Sequence, residues 1–305
     1  PRIIFMLSKI GKEQIYRTLP PEYQQLRDLN KMYDDATTRC TEMRCKLHHL
    51  ITRLFCDYPL SKDFIYTNSG RVLMEEYKFN PYRIIKKSFQ EFSATMKSFA
   101  PRIKNATLDS LYTHAKYSSL HNLTSQELSC LEQKLDFVWE DFTTNDFRKR
   151  KIRSQIEEIY YILQEAGEMV PVADGKVFNA FHLGRILGET GPLSDFEHWR
   201  ILFKYGGVNL RKRESGKYKG KVKMRKKGRI HLRGVLGKLV FRFVKKKEIF
   251  GDYYHRRKKE KIPGTKLMAN VERKLLRMIF SMAKRREKFN HKRFTYCESV
   301  FKLAA

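Results

Sequence analysis

From Leu26 to Leu54 the apolar residues fall at Leu26, Leu29, Tyr33, Ala36, Cys40, Met43, Leu47, Leu50 and Leu54, in steps that alternate three and four without a break. A helix with that pattern carries one continuous apolar stripe, stable only when a second helix covers it. Pro21 stands at the first turn, where a missing N–H costs nothing. A second seam follows a capping-box pair, Thr124 and Glu127. It runs through Leu128, Leu131, Leu135, Val138 and Phe142, passes the polar pair Asn145 and Lys149, and resumes at Ile152, Ile156, Ile159, Leu163 and Ala166. Polar members in mid-seam weaken packing and fix register or mark a bend. Two matched seams predict either an antiparallel pair within the chain or a coiled-coil dimer between chains, and the spacing does not choose.

Residues 58–123 read as a mixed connector with Pro59, Pro81 and Pro101 and helical pieces at 81–99 and 107–119. Its aromatic residues Phe64, Tyr66, Tyr77, Phe79 and Tyr82 fit a small core better than base-stacking platforms. A short helix is expected over Pro1–Ile15. The five cysteines (Cys40, Cys45, Cys56, Cys130, Cys297) show no metal-ligand spacing and read as reduced thiols used as small apolar filler. No apolar run approaches the roughly 20 residues that span a bilayer.

Charge divides the chain sharply. From Arg200 to the end there are 35 Lys and Arg against 7 Asp and Glu, whereas the first 199 residues hold 28 and 26. A polyanion is the partner such asymmetry implies, with nucleic acid ahead of an anionic membrane surface. The densest stretch is Arg211–Arg229, in which 11 of 19 residues are basic and Glu214 is the one acid. It reads as a loop that repels itself unless water or a polyanion lies against it, with Gly216, Gly220 and Gly228 letting the backbone come close to a partner.

Before that loop, short helices are expected at 176–187 and 194–205, joined by tight turns whose N–H groups could grip phosphate. After it come amphipathic helices at 229–248 and 265–285, whose apolar faces pack together and whose cations extend the positive field. Ser215, between Glu214 and Gly216, is the one aliphatic hydroxyl among these cations. No Ser-His-Asp order and no GxSxG elbow accompany it. In phosphodiester chemistry, guanidinium and ammonium groups can lower a serine's pKa and stabilise developing charge without a histidine.

From Gly188 to Leu236 the chain reads GETGPLSDFEHWRILFKYGGVNLRKRESGKYKGKVKMRKKGRIHLRGVL. The order of Glu189, Gly191, Phe196, Tyr205, Gly207, Ser215-Gly216, Lys226-x-Gly228 and Leu232-Arg233 resembles the C-terminal domain of the insertion-sequence-110 family of DEDD transposases (the 110/116/902 group). KLMANVERKLLRMIF is similar to the family's last helix, with Lys274, Leu275 and Arg277 in place, and LRDLNKMYDDATTRCTEMRCKLHHL to its first long helix. The resemblance implies a site-specific DNA recombinase of a mobile element, with Ser215 attacking DNA to form a phosphoserine link. It also implies an element-encoded bridge RNA, dimers or tetramers, and a RuvC-like domain whose acids hold Mg²⁺. None of those acids matches a position here, so that domain is expected N-terminal to Pro1. The family's Pro-Gly hairpin is replaced by Pro171-Val-Ala-Asp-Gly175.

The expected architecture is mostly α: a long coiled-coil stalk followed by a small basic helical transposase domain with hairpin-like turns. Its parts are a remnant over 1–20, a coiled-coil region over 21–168, the C-terminal domain over 169–293 and a tail over 294–305. Ser215 is the expected nucleophile. Arg211, Lys212, Arg213, Lys217, Lys219, Lys221, Lys223, Arg225, Lys226, Lys227, Arg229 and Arg233 are the expected nucleic-acid contacts, with no metal or membrane contact by this chain and a prokaryotic, cytoplasmic, nucleoid-associated location. Two rival readings are an inactive nucleic-acid-binding and dimerisation fragment, and a coiled-coil assembly protein with an acidic protein partner.

Overall fold

The structure, a computed structural model, describes residues 18–120, 123–211, 214–215, 218–219, 223–224, 226–246 and 248–290, with backbone alone at 211, 214, 215, 218, 219 and 223. The helix expected over Pro1–Ile15, the tail 294–305 and Cys297 lie outside these residues. The described chain is mostly helical. Its two longest elements are α1 (Pro21–Leu54, 34 residues) and α6 (Ser125–Glu165, 41 residues). Both run through the two compact units into which the chain divides, one of residues up to Met32 together with Ile152 onward, the other Tyr33–Lys151. In α6 the polar seam members Asn145 and Lys149 fall just before that division. Asn145 is buried, and its amide donates to the Asp141 carbonyl at 2.7 Å, so its own helix satisfies it.

Within the unit 33–151 the two seams meet each other. Cys40, Leu47, Leu50 and Leu54 of α1 share one core with Leu131, Leu135 and Phe142 of α6. The Arg44 guanidinium lies 5.6 Å from the Phe142 ring centroid, Cys40 senses Lys149 and Asp146, and Glu127 senses Arg53. Ascending numbers on one helix pair with descending numbers on the other, so the pair is antiparallel and within the chain. The rest of the unit closes over it: a 3₁₀ turn (Lys62–Tyr66), α2 (Asn68–Tyr77), α3 (Pro81–Ile85), α4 (Phe89–Phe99) and α5 (Asn105–Ser118). The piece expected at 81–99 is two helices, because Ser88 and Glu91 form a capping box that starts α4 afresh. Tyr77 and Phe79 are fully buried. Glu132 of α6 accepts a two-pronged ion pair from Arg83 (2.7 and 2.6 Å) and a bond from Asn80 (2.6 Å), fixing α3 to the long helix. Cys40 is buried as expected, and burial pushes its thiol up; Cys45, Cys56 and Cys130 are exposed instead.

In the other unit, α7 (Ala180–Thr190) is buried along nearly its whole length. It is followed by a 3₁₀ turn (Leu193–Asp195), α8 (Trp199–Gly206), four two-residue strands, α9 (Ile230–Phe243), α10 (Gly251–Lys259) and α11 (Gly264–Arg285). The apolar faces of α9 (Leu232, Val235, Leu236, Leu239, Val240, Phe243) and α11 (Leu267, Val271, Leu275, Ile279, Met282) are buried against each other, as their periodicity requires. The turn entering α7 is held from within. Tyr160 donates to the Pro171 carbonyl (2.6 Å) and accepts from the Ala173 N–H (2.8 Å), and Asp174 Oδ1 accepts from the N–H groups of Lys176, Val177 and Phe178 (3.1, 2.8 and 2.8 Å). Three N–H groups that could have gripped phosphate here are thus spent on one carboxylate. No helix among the described residues is long and apolar enough to cross a membrane.

Candidate nucleic-acid interface

The described residues of the basic stretch include paired strands. β1 (Leu210–Arg211) pairs antiparallel with β4 (Lys223–Met224), and β2 (Glu214–Ser215) pairs with β3 (Tyr218–Lys219), one ladder nested inside the other as a single hairpin. Leu210 faces Met224 in register and Ser215 faces Tyr218. Two residues separate β1 from β2 and three separate β3 from β4, so the register differs by one between the two ladders. The signal for it lies in the sequence: Lys217, Lys219, Lys221, Lys223 and Arg225 alternate with Tyr218, Gly220, Val222 and Met224. That is the period-two pattern of a strand; charge density alone suggested a loop.

The hairpin grows out of the C-terminal end of α8. Gly207 closes that helix with φ +68°, its N–H bonding the Lys204 carbonyl and the Val208 N–H bonding the Phe203 carbonyl. After β4 the chain returns across the same turn: the Lys226 N–H donates to the Gly207 carbonyl (3.0 Å) and the Arg229 N–H to the Tyr205 carbonyl (2.9 Å). Gly228 lies flat against it with φ +155°, where a Cβ would stand 2.4 Å from the Tyr205 carbonyl oxygen and 2.5 Å from the Gly207 nitrogen. No other residue fits there. The partner this glycine lets the backbone approach is the chain's own helix end.

Side chains then lock the base. Glu189, at the end of α7, is buried, with 2% of its side chain exposed. Its Oε2 accepts from Arg229 Nε at 2.8 Å and its Oε1 from Asn30 Nδ2 at 3.2 Å. Asn30 also donates to the Arg185 carbonyl (2.8 Å) and accepts from Arg185 Nε (3.3 Å). Arg27 Nε donates to the Gly188 carbonyl (3.1 Å), and its Nη2 donates to the Tyr205 hydroxyl (3.3 Å), which donates in turn to the Glu189 carbonyl (3.2 Å). On the other side, Arg233 Nη1 donates to the carbonyls of Gly206 (2.9 Å) and Gly228 (3.2 Å). The start of α1, the ends of α7 and α8 and the first turn of α9 therefore converge on the two legs of the hairpin.

Burial shifts two titratable groups in this unit toward their uncharged forms. Desolvation, with Arg242, Arg153 and Arg185 nearby, brings His182 of α7 down to about 4, and its Nδ1 is buried without a hydrogen-bond partner. Burial pushes the Glu272 carboxyl of α11 up, against the opposing pull of Arg233.

The expected contact residues separate accordingly. Ser215 closes β2, and the backbones of Arg211, Lys219 and Lys223 belong to β1, β3 and β4. Lys226 and Lys227 are exposed at the base, and Lys226 holds a left-handed φ of +55°. Arg229 directs its Nε to Glu189, and Arg233 directs Nη1 to the carbonyls of Gly206 and Gly228. Lys212, Arg213, Lys217, Lys221 and Arg225 lie outside the described residues. The clamp residues Arg27, Asn30, Glu189 and Tyr205 had no role assigned from sequence. Among the described residues no group of His, Cys, Asp and Glu comes together that could hold a metal ion.

Residues 180–255, which contain Glu189, Tyr205, Arg229 and Arg233 of the clamp together with the hairpin and α9, match the model of a family described as Transposase IS116/IS110/IS902. That match supports a transposase of an insertion element. No curated protein matches the chain.

Proposed function

We propose that this chain handles DNA for an insertion-element transposase and that Ser215 is its nucleophile. The serine oxygen attacks a phosphorus atom of the DNA backbone. A phosphoserine ester forms, one P–O ester bond of the strand breaks, and the departing oxygen leaves as a hydroxyl after taking a proton. The observation that supports this reading is the placement of Ser215 beside the two-residue connection of a highly basic hairpin whose base is clamped by a buried ion pair. A nucleophile must be held in an attacking geometry, and a clamped hairpin supplies that better than a free loop. The surrounding cations would neutralise the phosphate and lower the cost of the alkoxide.

Guidance by a structured RNA, and Mg²⁺ held by a RuvC-like domain, belong to the same proposal through the family resemblance. So does assembly into dimers or tetramers, but the surface differs from the one expected. The α1 seam is filled from Cys40 to Leu54 by α6 of the same chain, so copies would join elsewhere. The test is Ser215→Ala in the complete protein: duplex binding is retained within about 3-fold while covalent attachment to DNA disappears. Equal loss of both would mean that the serine only shapes the hairpin.

A further inference from the structure

At the opposite end of α8 from the hairpin, five aromatic and cationic side chains gather near the surface. Trp199 is half-buried, and the rings of His198 and Phe203 lie 4.8 Å from it, centroid to centroid. The guanidinium of Arg200 is 5.3 Å from the indole centroid, and that of Arg277, from α11, is 4.9 Å away. His198, Arg200 and Arg277 are exposed, and so is Ile201 beside them. The acids closest in sequence are Asp195 and Glu197, and Arg200 forms no ion pair among the described residues.

A guanidinium over an exposed ring is held only weakly by the ring's quadrupole. Here two guanidiniums, from different helices, approach one indole. Indole and guanidinium planes together offer what a splayed nucleobase needs, a π-surface to stack on and a cation for the adjoining phosphate. The eight residues of α8 rise roughly 12 Å, about three or four stacked nucleotides from the hairpin base.

We propose that Trp199, with Arg200 and Arg277, is a stacking platform for an unpaired base of the nucleic acid held by the hairpin. A strand gripped by the hairpin's cations would run along α8 and place one extruded or single-stranded base on the indole. The inference rests on the nucleic-acid-binding part of the proposed function, not on the chemistry of Ser215.

The chain has two tryptophans, and Trp139 packs on Phe142 in the other unit. Trp139→Phe therefore leaves Trp199 as the sole indole reporter. The full chain is titrated with end-labelled 12-mer single-stranded DNA, single-stranded RNA of the same sequence, and the DNA duplex. Anisotropy of the label reports binding and Trp199 emission reports stacking. The expected result is quenching by about half or more with a single strand, at the same midpoint as the anisotropy, and little with the duplex. The strand that quenches at the lower concentration identifies the source of the base. In the otherwise native chain, Trp199→Ala should weaken single-strand binding roughly 5- to 150-fold, Trp199→Phe much less, and duplex binding by no more than about 3-fold. Single-strand binding without quenching, or an equal loss of single-strand and duplex binding in Trp199→Ala, overturns the platform and leaves nucleic-acid binding standing. Failure to bind any of the three probes overturns both.

Discussion

Removing one partner of the Glu189–Arg229 pair tests what holds the hairpin in place. In Glu189→Gln the carboxylate that accepts from Arg229 Nε at 2.8 Å becomes a neutral amide, and Arg229 is left beside it. Breaking a fully buried ion pair this way costs about 3–5 kcal/mol, because one charge stays desolvated and unpaired. Arg229 keeps 24% of its side chain exposed and can recruit water, so the lower end applies, about 2–3 kcal/mol. Arg229→Gln leaves the more deeply buried Glu189 with Asn30 but without its cation, and should cost at least as much. The double substitution leaves neither charge stranded. The cycle should therefore return a coupling of about 1.5–2.5 kcal/mol. Urea unfolding followed by Trp199 emission in the Trp139→Phe background reads this unit, and each single substitution should lower the midpoint by about 1 M. A coupling below about 0.5 kcal/mol would show that the two side chains do not act as a pair and refute the clamp.

Three further outcomes follow from the same geometry. Gly228→Ala should destabilise the chain by more than about 2 kcal/mol through its backbone conformation and the clash with Tyr205; Gly234→Ala, in α9 with open space around it, should stabilise by about 0.5–1 kcal/mol in the same thermal melts. His182 has a folded-state pKa depressed to about 4, so its contribution is intact above about pH 6.5 and lost as pH falls toward 4, on the order of 2–3 kcal/mol; chemical melts at pH 7 and pH 5 should show that loss, and His182→Asn should flatten it. Duplex affinity should fall by roughly 10³–10⁵ between 50 and 200 mM salt. Lys226→Gln and Lys227→Gln should each lower the log–log salt slope by about 1, and Arg229→Gln should leave it unchanged.

Much of the helical framework was legible because it is written locally. The two seams, the capping box at Thr124 and Glu127 and the paired faces of α9 and α11 follow from residues three to four apart. The seams could not say whether they met each other or a second chain, since an apolar stripe is the same surface to either partner. The hairpin is obscured in the sequence for a different reason. Eleven cations in nineteen residues argue for a solvated loop, and that reading hid the strict alternation of Lys217–Arg225. The clamp was out of reach of any local pattern, because Glu189 meets Arg229 forty positions later and Asn30 159 positions earlier. For the same reason Arg229 and Arg233 looked like two more cations of a basic run, although each is directed into the fold. Gly228 was read as a point of close approach, and only the structure identifies the surface approached.

The most direct measurement is of the bond itself. The complete protein, incubated with DNA carrying the element's ends, is denatured and digested, and any nucleotide-bearing peptide is sequenced by mass spectrometry. A nucleotide on Ser215, absent from the Ser215→Ala protein while duplex binding persists, is the predicted result. A covalent adduct on another residue, an adduct that survives Ser215→Ala, or recombination with no adduct at any stage would contradict the account.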